Sequence, residues 1–188
     1  DSKPSHLVQF GKMASIYMHD IIGLENPRVG LVNIGEEDEK GNALVQETLP
    51  LLRAQKDINF TGSVESRGIT EGAVDVAVCD AFVGNVILKM YEGVAAAMIK
   101  ELKGALKDGG FMTKVGAGLI KKDLKKMLKK FSIEEYGGAP LLGVKAPVVK
   151  THGSSKAAEV CNTIVQCLHL VENNVTGQIA ERIAENGI

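Results

Sequence analysis

Hydrophobic positions along the chain switch repeatedly between two periods. Pro4 to Ile22 carries apolar residues at helical spacing, with Ser2 and Pro4 as start signals and Gly23 as a stop. Arg28 to Ile34, RVGLVNI, is a short continuous apolar run suited to a strand buried on both faces. Asn42 to Ala54 returns to helical spacing, interrupted by Pro50. Ile58 to Thr61 and Val74 to Cys79 read as strands, and Asn85 to Leu102, rich in Ala, Met and Leu, as a strong helix. Val148 and Val149 predict a last strand. Ser155 to Val171 and Val175 to Ala184 predict two closing helices.

Alternating strands and helices imply an α/β layered fold with a mostly parallel sheet covered by helices. In such folds ligands sit beyond the carboxyl ends of the strands, so the loops there are the first place to look for chemistry.

Composition narrows the class without naming a function. The 188 residues, 45% hydrophobic and 24% charged, are enough for one domain with a sizeable core. A net charge of −1 gives no global pull toward nucleic acid. Cys79, Cys161 and Cys167 are scattered, a count and spacing that fit reduced thiols of a cytoplasmic protein. No apolar run approaches the ~20 residues of a membrane span, and no signal peptide opens the chain. His6, His19, His152 and His169 form no metal-binding pair. The chain begins at Asp1 without an initiator Met, and the expectation is a fragment.

Three loops follow predicted strands. Gly35 to Asn42 (GEEDEKGN) holds four acids and one lysine. It reads either as a solvated acidic turn or as a loop that points Lys40 at an anion, with Gly41 letting backbone approach; its acids could instead hold a divalent cation. In Cys79 to Lys89 (CDAFVGNVILK), Asp80 ends the strand, Gly84 permits an unusual turn, and Asn85 caps a helix whose free N–H groups form an anion site. Simple capping accounts for the same residues. Lys150 to Lys156 (KTHGSSK) repeats the pattern, with Ser154 and Ser155 as helix caps and His152 as a donor beside Gly153. No acid stands where a nucleophilic serine would need one. Singly each loop is weak; together they would converge on one anionic group.

Between residues 98 and 131 ten lysines face three acids, a local charge of about +7. Ile120, Leu124, Met127, Leu128 and Phe131 form one apolar stripe, and Gly109-Gly110 precedes a mostly uncharged tip with Phe111, Met112, Val115 and Leu119. Such a helix packs on the body or on a twin subunit, or meets an anionic lipid surface or an acidic protein.

The segments KPSHLVQFGKMASIY, NPRVGLVNIGEEDEKGN, VDVAVCDAFVGNVILK and EYGGAPLLGVKAPVVKTHGSS together resemble the phosphate acyltransferases of bacterial glycerolipid synthesis, nearly end to end. The resemblance implies a three-layer α/β/α sandwich, similar to phosphotransacetylases and isocitrate or isopropylmalate dehydrogenases, in a homodimer. It implies conversion of acyl–acyl-carrier-protein and inorganic phosphate to acyl phosphate, without cofactor or metal, in the cytoplasm. Lys40 and Asn85 fall on positions that resemble the family's catalytic ones. Asn42, Asp80, Gly84 and the loop His152, Gly153, Ser154, Ser155 look like its phosphate side. The basic arm, about residues 104–131, resembles a protruding tip whose Met112, Val115 and Leu119 would contact a membrane. Ala81 and Gly68 depart from the family pattern, and the family's N-terminal portion is absent, so residues 1–188 read as the C-terminal portion of one domain. The alternatives are a phosphotransacetylase-type enzyme using a coenzyme A thioester, and a non-catalytic membrane-surface or oligomerisation fragment; a dehydrogenase of the same architecture is disfavoured by the lack of clustered aspartates.

Overall fold

A computed structural model describes residues 1–129, 138–153 and 155–185. Seven helices and five strands alternate along them: α1 (Pro4–Asp20), β1 (Arg28–Val32), α2 (Ala43–Arg53), β2 (Asn59–Val64), α3 (Ser66–Glu71), β3 (Val76–Val78), α4 (Ala81–Asp108), α5 (Phe111–Lys129), β4 (Ala139–Leu141), β5 (Val148–Lys150), α6 (Ala157–Glu172) and α7 (Val175–Glu185). The mixed α/β architecture, a parallel sheet flanked by helices, is that of the expected layered fold.

The parallel sheet has the order β2-β1-β3. Val29 and Val76 pair across β1 and β3, and Leu31 pairs with Val78. These four side chains face α1 and α2, where Leu7, Val8, Leu49 and Leu52 close the first core. Leu31 and Leu52 are fully buried. Strand β2 slips by one residue against β1 between Val29 and Gly30, leaving Thr61 unmatched. The Thr61 hydroxyl donates to the Val29 carbonyl at 3.2 Å, and Gly62 follows at φ +106°, a backbone setting suited to a bulge. On the other face Gly30 leaves room for Val74 and Val64; a Cβ there would meet Val74 Cγ1 at 2.7 Å.

Helix α1 serves two cores. Its opposite side carries Met13 and Ile16 against Leu170 of α6 and Val175 and Ile179 of α7. Gln166 ties this cluster together, donating to the Tyr17 hydroxyl at 2.9 Å and accepting from the Gly138 N–H at 3.1 Å. The antiparallel pair β4–β5 packs here and lies outside the parallel sheet.

Four expectations need correction. Pro50 does not interrupt α2: it is exposed, near the end of the helix, and costs one ladder bond while Leu49 and Leu52 keep the buried face intact. Helix α4 begins at Ala81 rather than Asn85, because Asp80 supplies the cap. Helix α6 begins at Ala157, with Lys156 at the N-cap position and its N–H donating to the Glu159 carboxylate; Ser155 is therefore no cap, and Ser154 lies outside the described residues. Finally, α4 is long and apolar enough to cross a membrane by length and composition alone. Lys89 and Glu92 interrupt its apolar run in sequence, but in the helix they pair at 2.8 Å, one turn apart. Strands as short as β4 and helices as short as α3 carried no periodic signal.

Helices α4 and α5 form a hairpin joined at Gly109-Gly110, as the two glycines predict. No residue of α4 is buried, and Phe82, Met90 and Met98 are among its exposed side chains. The first turns of α5 beyond the joint present Phe111, Met112 and Leu119, each about 80% exposed, with Val115 half-exposed. The lower part of the stripe is only partly represented: Ile120 and Met127 are exposed, and Phe131 lies outside the described residues.

Candidate functional site

The sheet order places β1 beside β3 in parallel, so the loops that leave their carboxyl ends emerge side by side. The first leads to α2 and the second to α4. Asn42 caps α2, its side-chain oxygen accepting from the Val45 N–H at 3.0 Å. Asp80 caps α4, accepting from the Val83 N–H at 2.9 Å. Both caps line one cavity of about 620 Å³, together with Asp1, Ser2, Leu44, Ala81 and Phe82. Two helix N-termini thus open into a common space. Each offers unpaired backbone N–H groups and the positive end of its dipole.

The two ends are not equivalent. The Asp80 carboxylate sits on the dipole of α4 and takes up part of its attraction for anions, whereas the neutral Asn42 leaves α2 its full positive end. The approach of an anion is therefore favoured from the α2 side; Lys40 precedes that cap by two residues in sequence and does not itself line the cavity.

Lys40 lies in the loop Gly35 to Gly41, exposed from Glu36 to Lys40 and shaped by short contacts. Its N–H donates to the Glu37 carbonyl at 3.1 Å. The Arg53 guanidinium grips both oxygens of Asp38, at 2.5 and 2.6 Å, and holds that carboxyl below the usual carboxylate range. Gln46 of α2 donates to the Glu39 and Gly41 carbonyls. Gly41 adopts φ +99°, where a side chain would be strained, and a Cβ would meet Asn33 Oδ1 at 2.5 Å. From Glu36 to Lys40 the loop is exposed, as a solvated acidic turn would be, with Asp38 paired; no group of three His, Cys, Asp or Glu suited to a metal occurs among the described residues.

Gly84 and Asn85 are not at the helix start. The Gly84 N–H donates to the Asp80 carbonyl at 3.0 Å, an ordinary helical bond, so this glycine makes no unusual turn. Its role is close approach: a Cβ would meet Cys79 Sγ at 3.1 Å. Asn85 is exposed one turn beyond, beside Val86, Lys89 and Gly93 in a shallow depression of about 520 Å³. It does not line the cavity of the two caps. Burial pushes the Cys79 thiol up, and the Asp80 charge adds to this, so Cys79 is no poised thiolate.

The third loop follows β5, which belongs to the other sheet. His152 and Gly153 are exposed, and Ser155 donates its N–H to the His152 carbonyl at 3.1 Å. None of its described residues lines the cavity. Of the three loops, the fold brings two together.

Asn33 carries little signal in the sequence. It follows β1 directly, is 7% exposed, and donates from Nδ2 to the Lys40 carbonyl and to Ser63 Oγ, both at 3.2 Å. An amide ending an apolar strand was its only signal.

The chain matches the model of a family described as fatty acid synthesis protein over residues 1–178. A phosphate acyltransferase of Clostridium perfringens (strain SM101) is 50% identical over 185 residues, 98% of this chain and 54% of the relative. One from Brevibacillus brevis is 44% identical over 186 residues, covering 99% and 55%. One from Bacillus pumilus is 46% identical over 183 residues, covering 97% and 54%. The chain spans about half the length of these curated relatives.

Proposed function

This chain belongs to the fatty acid synthesis protein family, and we propose on that footing that it forms the C-terminal portion of a phosphate acyltransferase. The reaction joins inorganic phosphate to the acyl group of acyl–acyl-carrier-protein and releases the carrier's thiol. The observation that carries this reading is the shared cavity of the α2 and α4 caps; Lys40 precedes the α2 cap by two residues in sequence.

Phosphate is a poor nucleophile in water because it is strongly solvated. A site that replaces its water with fixed N–H groups and one ammonium can aim an oxygen at the thioester carbon. Lys40 and the first amides of α2 hold the anion. A P–O–C bond then forms as the carbonyl becomes tetrahedral, and the C–S bond breaks with the electron pair leaving on sulfur. Asn85, on the outer face of α4, contacts the acyl donor rather than the phosphate. His152, Gly153 and Ser155 serve the same substrate only if the remaining half of the protein brings β5 near, so they stand second to Lys40.

The hairpin gives the reaction a place. Its tip offers Phe111, Met112, Val115 and Leu119 to a bilayer, and the lysines behind it favour anionic headgroups, each contributing on the order of 1 kcal/mol at low salt. The protein is then cytoplasmic and peripherally bound, as a homodimer whose exposed α4 and α6 faces meet a twin subunit or the other half of the chain.

The test is phosphate-dependent release of free thiol from acyl carrier protein by the full-length protein. Lys40→Ala should cut kcat/KM for phosphate on the order of 10²–10³ fold with unchanged thermal unfolding. Wild-type turnover in that variant overturns the role of Lys40. Preference for acyl coenzyme A in the same assay would favour the phosphotransacetylase-type alternative.

A further inference from the structure

We infer that Asn33 is the positioning residue for Lys40, fixing the height at which its loop meets the anion. The inference rests on the reading that Lys40 holds phosphate.

Every side chain of the loop from Glu36 to Lys40 is exposed, so the loop has no hydrophobic anchor of its own. Its grip comes from three polar contacts of unequal quality. The Asp38–Arg53 pair lies open to solvent, where salt screens it. Gln46 is likewise exposed. Asn33 alone reaches the loop from inside the fold. Its Oδ1 accepts from the Ile34 N–H at 2.8 Å, which turns the chain out of β1. Its Nδ2 is divided between the Lys40 carbonyl and Ser63 Oγ, so one amide links the catalytic loop to β2.

Two further features tie the amide to its place. The Asn33 N–H continues the β1–β2 ladder by donating to the Val64 carbonyl at 3.0 Å, so its backbone is set by the sheet. Gly41 has no Cβ where one would press on Oδ1 at 2.5 Å. The position of Lys40 is thereby referred to the sheet itself, whose carboxyl edge also sets the α4 cap.

The experiment uses the full-length protein and the thiol-release assay. Asn33→Asp keeps the oxygen that accepts from Ile34 but removes both Nδ2 donations. It should lower kcat/KM for phosphate on the order of tenfold to a hundredfold, with KM for the acyl donor unchanged. Ser63→Ala, which leaves the Lys40 contact, should cost less than Asn33→Asp. Combined with Lys40→Ala, Asn33→Asp should add nothing to the loss already seen. Gly41→Ala, which crowds the same oxygen, should reproduce the signature if Asn33→Asp folds poorly. Losses that multiply in the double variant, or a Ser63→Ala loss equal to that of Asn33→Asp, overturn the inference while leaving Lys40 in place. Wild-type turnover in Lys40→Ala instead overturns the reading beneath it.

Discussion

Arg28 straddles Asp75 at the foot of the parallel sheet. Its Nε and Nη2 donate to the two carboxylate oxygens at 2.9 Å each, and its backbone N–H donates to Oδ2 at 2.8 Å. Two further guanidinium N–H groups, on Nη2 and Nη1, reach the Gly72 and Ala73 carbonyls at 2.8 Å. One arginine thus closes the α3–β3 turn onto the start of β1. Its hydrogen bonds hold the Asp75 carboxyl below its ordinary range. A depressed carboxyl stabilises the fold above its unfolded pKa of ~3.9, and that contribution is lost as pH falls through the folded value. Asp75→Asn should therefore flatten the acid limb of stability below about pH 4. Parallel urea titrations of both proteins between neutral pH and the acid limb check this, and identical limbs would remove Asp75 from acid sensitivity.

Lys12 is 1% exposed, and its Nζ lies 3.0 Å from Asp57 Oδ2. Asp57 is one-third exposed, so the pair has one dry partner and one wet one. Removing the wet partner strands a buried charge. Asp57→Ala should destabilise by about 3–5 kcal/mol, whereas Lys12→Met should be neutral or stabilising. Chemical unfolding of the two variants would show the asymmetry; a small loss in Asp57→Ala would mean that Lys12 reaches water without Asp57.

Asp80 has two separable jobs at the cavity. Asp80→Ala removes a helix cap and should cost about 1 kcal/mol. Asp80→Asn keeps an acceptor for the Val83 N–H, so its stability should stay close to wild type while phosphate binds more tightly for want of a repelling charge. Calorimetric titration with phosphate reads the second effect. Weaker binding in Asp80→Asn would make the carboxylate a ligand in its own right.

Leu119→Glu places a charge on the hairpin tip, where the leucine is 79% exposed and supports nothing in the fold. Sedimentation with anionic vesicles should fall while thiol release in solution stays at the wild-type level. Unchanged sedimentation would take the tip away from the bilayer.

Gly30 sits where a Cβ would meet Val74 Cγ1 at 2.7 Å and Val64 Cγ1 at 3.1 Å. Gly30→Ala should destabilise by about 1–3 kcal/mol through overpacking between strands. Val74→Ala in the same background should recover part of the loss by making room, and a double variant no better than the single would place the strain elsewhere.

Most elements were legible because apolar period and glycine punctuation survive in one sequence: α1, α2, β1, the Gly109 joint and α7 lie where the pattern puts them. Helix starts were less legible. Asp80 and Asn85 are both good caps, and nothing local says which wins; the sheet decides, by ending β3 at Val78 and bringing Asp80 round first. Likewise KTHGSS looks like a strand-end loop of the main sheet, but β5 pairs with β4 just before it in sequence, a strand too short to carry a periodic signal. Lys40 was readable as a lone cation beside a glycine, while Asn33 was hidden because its importance lies in what its amide touches across the bulged strand.

The uninterrupted run of α4 has a mechanical meaning. Its 28 residues make a strut about 42 Å long, planted at the Asp80 cap and ending at the glycine joint. Distance and azimuth between those ends are counted out in residues: each one inserted lifts the tip by about 1.5 Å and swings it by about 100°. Whatever the tip rests on, the sheet edge is held at a standoff written into helix length, so a single deletion there would turn the tip's greasy side away from its support without touching any atom of the cavity.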